Sequence, residues 1–126
     1  MNLAELIGTE KDISEYLSTL LPDDWDIWTL EERRDFWAGD RHGGSALRQR
    51  VCAKEIWMEL CCGAADRFGS CIAQEINKKI REASPYWRGR SSVDCGPLYG
   101  RQRGFIYDLA AEKIDAMTKQ VANGKN

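Results

Sequence analysis

Residues 97–107 read Pro97-Leu98-Tyr99-Gly100-Arg101-Gln102-Arg103-Gly104-Phe105-Ile106-Tyr107. Tyr99, Phe105 and Tyr107 are strand-forming aromatics. Between them Gly100 and Gly104 bracket a basic, hydrogen-bond-rich centre, Arg101-Gln102-Arg103. Upstream, beyond Pro85, Tyr86-Trp87-Arg88-Gly89-Arg90 repeats the mixture of aromatics, arginine and glycine. The two segments are expected to pair as a β-hairpin, with 86–90 leading into a loop and Arg103–Tyr107 returning.

The segment ahead of the hairpin has helical periodicity. Ser70 is expected to cap a helix that runs to about Ala83, before Pro85. Ile72, Ile76, Ile80 and Ala83 form its apolar face. Gln74, Asn77, Lys78 and Arg81 fall at i, i+3, i+4 and i+7 on the opposite face. Further upstream, the pattern from Ser45 to Cys62 predicts one long helix stopped by Gly63. Arg48, Cys52, Glu55 and Glu59 occupy a narrow polar arc of it. Leu47, Val51, Ile56, Trp57, Met58 and Leu60 cover the rest, as in a helix packed on several sides.

Two helices are expected before it. One, at about 10–20, carries Ile13, Tyr16, Leu17 and Leu20 on one stripe, and Pro22 ends it. The other begins at the capping box Thr29-Leu30-Glu31-Glu32 and stops near Gly39. A last helix, about 108–121, would use Leu109, Ile114 and Met117. The parts define a mainly α fold with a small β-hairpin, an α+β class. A helix-turn-helix followed by a hairpin is the plan of a winged helix. The expected organisation is one winged-helix-like domain over 1–122, with a disordered tail at 123–126.

At 126 residues, 43% hydrophobic and 30% charged, the chain has the composition of a single soluble domain. No apolar run approaches the ~20 residues of a membrane span. The opening MNLAELIGTEKD is too acidic for a signal peptide, so a cytoplasmic protein with no membrane partner is expected. The five cysteines, Cys52, Cys61, Cys62, Cys71 and Cys95, include no CxxC, and there is one histidine, His42. They read as buried reduced thiols, and no metal or other cofactor is expected. His42 has only Asp40 near it as a carboxylate, and no phosphate loop or nucleophile elbow is present, so no enzyme is expected.

Charge is unevenly distributed. Residues 1–40 hold eleven acidic and three basic side chains, a balance of −8, whereas 41–126 hold fifteen basic and nine acidic, a balance of +6. A basic half is one mark of a nucleic-acid partner. Gln74, Asn77, Lys78 and Arg81 are types that reach base edges and phosphates. Arg88, Arg90, Arg101 and Arg103 present forked donors that match phosphate oxygens. Each feature also has a plain structural account, as a solvated helix face and as a charge-protected edge hairpin.

Several segments together resemble the C-terminal region of the virulence-associated protein E family, phage- and pathogenicity-island-encoded primase–helicase proteins. They are Leu21-Pro22-Asp23-Asp24-Trp25 with Glu32-Arg33-Arg34-Asp35-Phe36, then Arg50-Val51-Cys52-Ala53-Lys54-Glu55-Ile56-Trp57-Met58-Glu59, and Tyr99-Gly100-Arg101-Gln102-Arg103-Gly104-Phe105. Glu75-Ile76-Asn77 and Trp87 also look like the family. The resemblance implies the accessory tail without the helicase core, because the chain has no phosphate-binding loop.

The expected function is therefore non-catalytic DNA binding, duplex or single-stranded, by an accessory protein of phage or prophage origin. Gln74, Asn77, Lys78 and Arg81 would meet the groove, and Arg88, Arg90, Arg101 and Arg103 the backbone. The alternative is a protein-interaction module whose acidic half, 1–40, docks on a replication or host-defence factor.

Overall fold

The hairpin forms, and it is longer than its sequence signal. In the computed structural model, which describes residues 10–39 and 43–123, strand β2 spans Trp87–Asp94 and strand β3 spans Arg101–Tyr107. Arg101, expected in the loop, therefore lies within a strand. The turn is only Cys95–Gly100, closed by Cys95 N–H donating to the Gly100 carbonyl at 2.9 Å. Gly96 and Gly100 take φ of +86° and +65° there, the left-handed region that glycine enters without Cβ strain. Trp87 pairs with Tyr107 and Arg90 with Gly104, and the register then shifts before Val93 meets Gln102. That shift is a bulge on β2, which bends the hairpin.

A third strand joins it. Strand β1, Arg50–Cys52, pairs antiparallel with β3, giving the sheet order β1-β3-β2. This corrects the long helix expected over 45–62. Residues 45–49 are not helical, 50–52 are strand, and the only helix is α3, Ala53–Glu55, which continues as a π-helical turn, Ile56–Leu60. Val51, Cys52 and Ala53 are all buried in succession. A short strand buried on both faces carries the same unbroken apolar signal as a buried helix, and periodicity cannot separate the two. Pairing with β3 supplies the hydrogen bonds that the lost helix would have made. It needs a glycine opposite, since a Cβ at Gly104 would come within 2.5 Å of the Val51 carbonyl oxygen.

The other elements lie close to expectation. Helix α1 is Glu10–Ser18, and Leu20 lies beyond its end and is exposed. Helix α2, Leu30–Ala38, opens on the complete Thr29–Glu32 capping box. Helix α4, Ser70–Ala83, has the expected bounds, although Gly69 and not Ser70 is its cap. Helix α5, Leu109–Asn123, takes in Asn123 from the expected tail; residues 124–126 and the loop residues Asp40, Arg41 and His42 lie outside the described residues. Leu109, Ile114 and Met117 do not serve a core, because α5 leaves them 37%, 61% and 65% exposed. The fold is α+β, with five α-helices and a small antiparallel sheet among the described residues, and no described helix is long and apolar enough to cross a membrane.

The main core joins Ile13, Tyr16 and Leu17 of α1 to Ile76 and Ile80 of α4 and to Val51, Ile56, Trp87 and Phe105. Trp25, Trp28, Phe36 and Trp37 pack edge-on or tilted within it, ring centroids 5.0–5.9 Å apart. They are core aromatics.

At the centre lies a charge, not a hydrocarbon. Glu59 is 1% exposed. Its Oε1 accepts from the Tyr16 hydroxyl and the Trp37 indole, each at 3.0 Å. Its Oε2 accepts from Arg33 Nη1 at 3.0 Å and from the Tyr99 hydroxyl at 2.6 Å. Arg33 also donates to the Trp25 carbonyl and lies over the Trp25 ring. Beside it, Glu55 accepts from the Cys52 amide at 2.8 Å and from Arg48 Nη1 at 3.2 Å, and Arg48 stacks on Tyr16 at 4.2 Å. Burial pushes the Glu55 carboxyl up to about 7, with Arg48 opposing and Glu59 adding to the shift. Burial also holds the phenols of Tyr16 and Tyr99 well above their ordinary range. Glu59 is supplied by the π-helical turn. Arg34 meets the carbonyls of Met58 and Gly63 at its end.

Candidate nucleic-acid interface

Alternation along β3 puts Arg103 on the same face as Phe105 and Tyr107, both of which reach the core. Arg103 therefore continues the core-facing side of the hairpin past the point where apolar residues end. The bulge after Arg90 bends β2 at the same level. Helix α4 runs alongside, its Ile76 and Ile80 seated in the core and its polar face turned outward.

Between helix and hairpin lies a cleft of about 420 Å³ bounded by Asn77, Arg81, Arg90, Ser91 and Arg103, with Trp87 and Phe105 against its floor. A second cleft, of about 210 Å³, shares Asn77 and Arg103 with the first and extends past Gln74, Gln102 and Lys54. Of the described residues, four cationic side chains line the joined groove and no carboxylate does. Among the described residues, Arg81, Arg90 and Arg103 have no ion-pair partner. Within the groove the Asn77 Oδ1 is buried and accepts no hydrogen bond. A buried acceptor without a donor is costly.

Of the eight residues expected from sequence, five line this groove: Gln74, Asn77, Arg81, Arg90 and Arg103. Lys78 is exposed on α4 outside its lining. Arg101 crosses the hairpin to Ser92 Oγ at 3.3 Å. Arg88 is at the far end of β2, 3.5 Å from Asp108. Sequence reasoning missed Lys54, assigned to the interior of a long helix, and Gln102. Gln102 had a signal, since it sits between two arginines of the quoted stretch.

Part of the acidic front is occupied within the fold. Asp26 pairs with Arg50 at 2.9 Å, Asp23 accepts from Ser45, Asp24 from the Trp28 indole, and Glu32 completes the α2 cap. Part of the charge asymmetry along the chain is thus attraction between its halves. The chain matches no protein-family model and no curated protein sequence.

Proposed function

We propose that the chain is a non-catalytic, cytoplasmic DNA-binding protein of winged-helix type, holding the nucleic-acid backbone in the groove between α4 and the β2–β3 hairpin. One observation carries this reading: Lys54, Arg81, Arg90 and Arg103 converge on a groove that no carboxylate of the described residues lines. Guanidinium forks suit phosphate oxygens, and Gln74 and Asn77, at the same groove, suit base edges. The connectivity supports the winged-helix class. Strand β1 precedes the helix pair α3–α4, the hairpin follows, and β3 takes the middle of the sheet.

An origin in a phage or prophage rests on the resemblance to the virulence-associated protein E family. A protein partner on the acidic half draws less support, because Asp23, Asp24, Asp26 and Glu32 already accept hydrogen bonds within the chain.

Fluorescence anisotropy of labelled DNA across a salt series tests the proposal. Four phosphate contacts predict a log K against log salt slope of about −3.6 on duplex and about −2.8 on single strands, from ~0.9 and ~0.7 per contact. A flat response on both would overturn it.

A further inference from the structure

Cys52 and Cys95 are 43 residues apart in sequence, yet β1 and the end of β2 bring them together in the second, smaller core cluster with Val93 and Tyr99. Glu55 turns back onto the same point from the first turn of α3. The two sulfurs and a Glu55 oxygen all lie within 4.8 Å of one another, and all three residues are buried. From this cluster we propose that the chain has a binding site for a thiophilic divalent cation of the zinc type, ligated by Cys52, Glu55 and Cys95. It is independent of the DNA-binding reading.

The geometry is near that of a tetrahedral site. Zinc bonds of ~2.3 Å to sulfur and ~2.1 Å to oxygen place ligand atoms roughly 3.5–3.8 Å apart. Each ligand then moves inward by about 1 Å or less. Glu55 is held for the task, one oxygen on the Cys52 amide and the other on Arg48, and each keeps a lone pair free. Charge also closes. Binding releases two thiol protons, and any proton on Glu55, to solvent, and the two thiolates, the Glu55 carboxylate, the dication and Arg48 sum to neutrality. A cavity of about 230 Å³, bounded by Glu55, Cys95, Arg48, Arg50 and Asp26, leads to the site and gives water the fourth position. The ion would tie the turn of the hairpin, through Cys95, to the start of α3. No short-range motif announces such a site, because β1 and the hairpin assemble the ligands.

The test uses the full chain, reduced and stripped with chelator, then titrated with Co²⁺ and Zn²⁺. The expected result is a near-ultraviolet thiolate-to-cobalt band with tetrahedral visible bands, displaced by Zn²⁺ at one equivalent. Cys95→Ser and Cys52→Ser should abolish it, while a Cys61→Ser, Cys62→Ser, Cys71→Ser triple variant retains it. Should either buried substitution fail to fold, X-ray absorption on the zinc-loaded wild type decides, with two sulfur and two lighter ligands expected. No band, or a band lost in the triple variant and kept in Cys95→Ser, would overturn the site, as would a shell without sulfur.

Discussion

Arg33 and Arg48 lie inside the protein, and Arg81, Arg90 and Arg103 line an open groove. The interior pair is 1% and 7% exposed, each guanidinium has a carboxylate, and each lies over an aromatic ring. The groove arginines have no ion-pair partner among the described residues. A buried charge must be matched by the fold itself, whereas a charge at a groove can be left for something that arrives.

The comparison breaks first at Glu59. Glu59→Ala leaves Arg33 buried and unpaired and removes the acceptor of Tyr16, Trp37 and Tyr99. We expect a loss of about 3–5 kcal/mol or more, read as a lower urea midpoint or failure to fold. A midpoint near that of the wild type would mean that the interior charges are dispensable.

The second test is alkaline. The phenols of Tyr16 and Tyr99 are raised above their unfolded value, so above pH 10 the unfolded chain releases protons that the folded chain keeps. The phenols' contribution is present in full below pH 10 and is lost as pH rises, by about 1.4 kcal/mol per pH unit for each. Urea unfolding at pH 9, 10 and 11 measures it. Tyr99→Phe should reduce the slope by about 1.4 kcal/mol per pH unit.

How much of this could be read from sequence follows the same division. The Thr29 capping box, α4 with its bounds and the hairpin were legible because each rests on local rules: side-chain caps, a helical stripe, aromatics around glycine. Five groove residues followed, since helix face and strand pairing position them. Strand β1 was not legible, because Arg50–Cys52 becomes a strand only through β3. As one helix, 45–62 would make Arg48, Cys52, Glu55 and Glu59 its polar stripe. They are buried groups that meet Arg33, Tyr16, Trp37, Tyr99 and Cys95 from distant parts of the chain. The exposed Ile114 and Met117 fail in the opposite sense, since apolar spacing on α5 does not ensure that anything covers it.

The groove sharpens the comparison from the other side. Arg81→Ala with Arg103→Ala should leave stability within about 0.5 kcal/mol of wild type, because no ion pair of the fold is lost. It should lower the salt slope on duplex DNA by about 1.8, from ~0.9 per phosphate contact. A large stability loss would class these arginines with Arg33 and Arg48 as parts of the scaffold.

Arg88 gives the smallest effect and the finest discrimination. It has the same side chain on the same strand as Arg90, but it meets Asp108 at 3.5 Å, and both groups are well exposed, at 46% and 38%. Solvent screens such a pair, so Arg88→Ala should cost roughly 0–1 kcal/mol, less in high salt. Away from the groove, it should leave the DNA salt slope unchanged. If it lowers that slope as much as Arg90→Ala does, the backbone path runs along the whole of β2, and binding follows strand charge in place of the groove's shape.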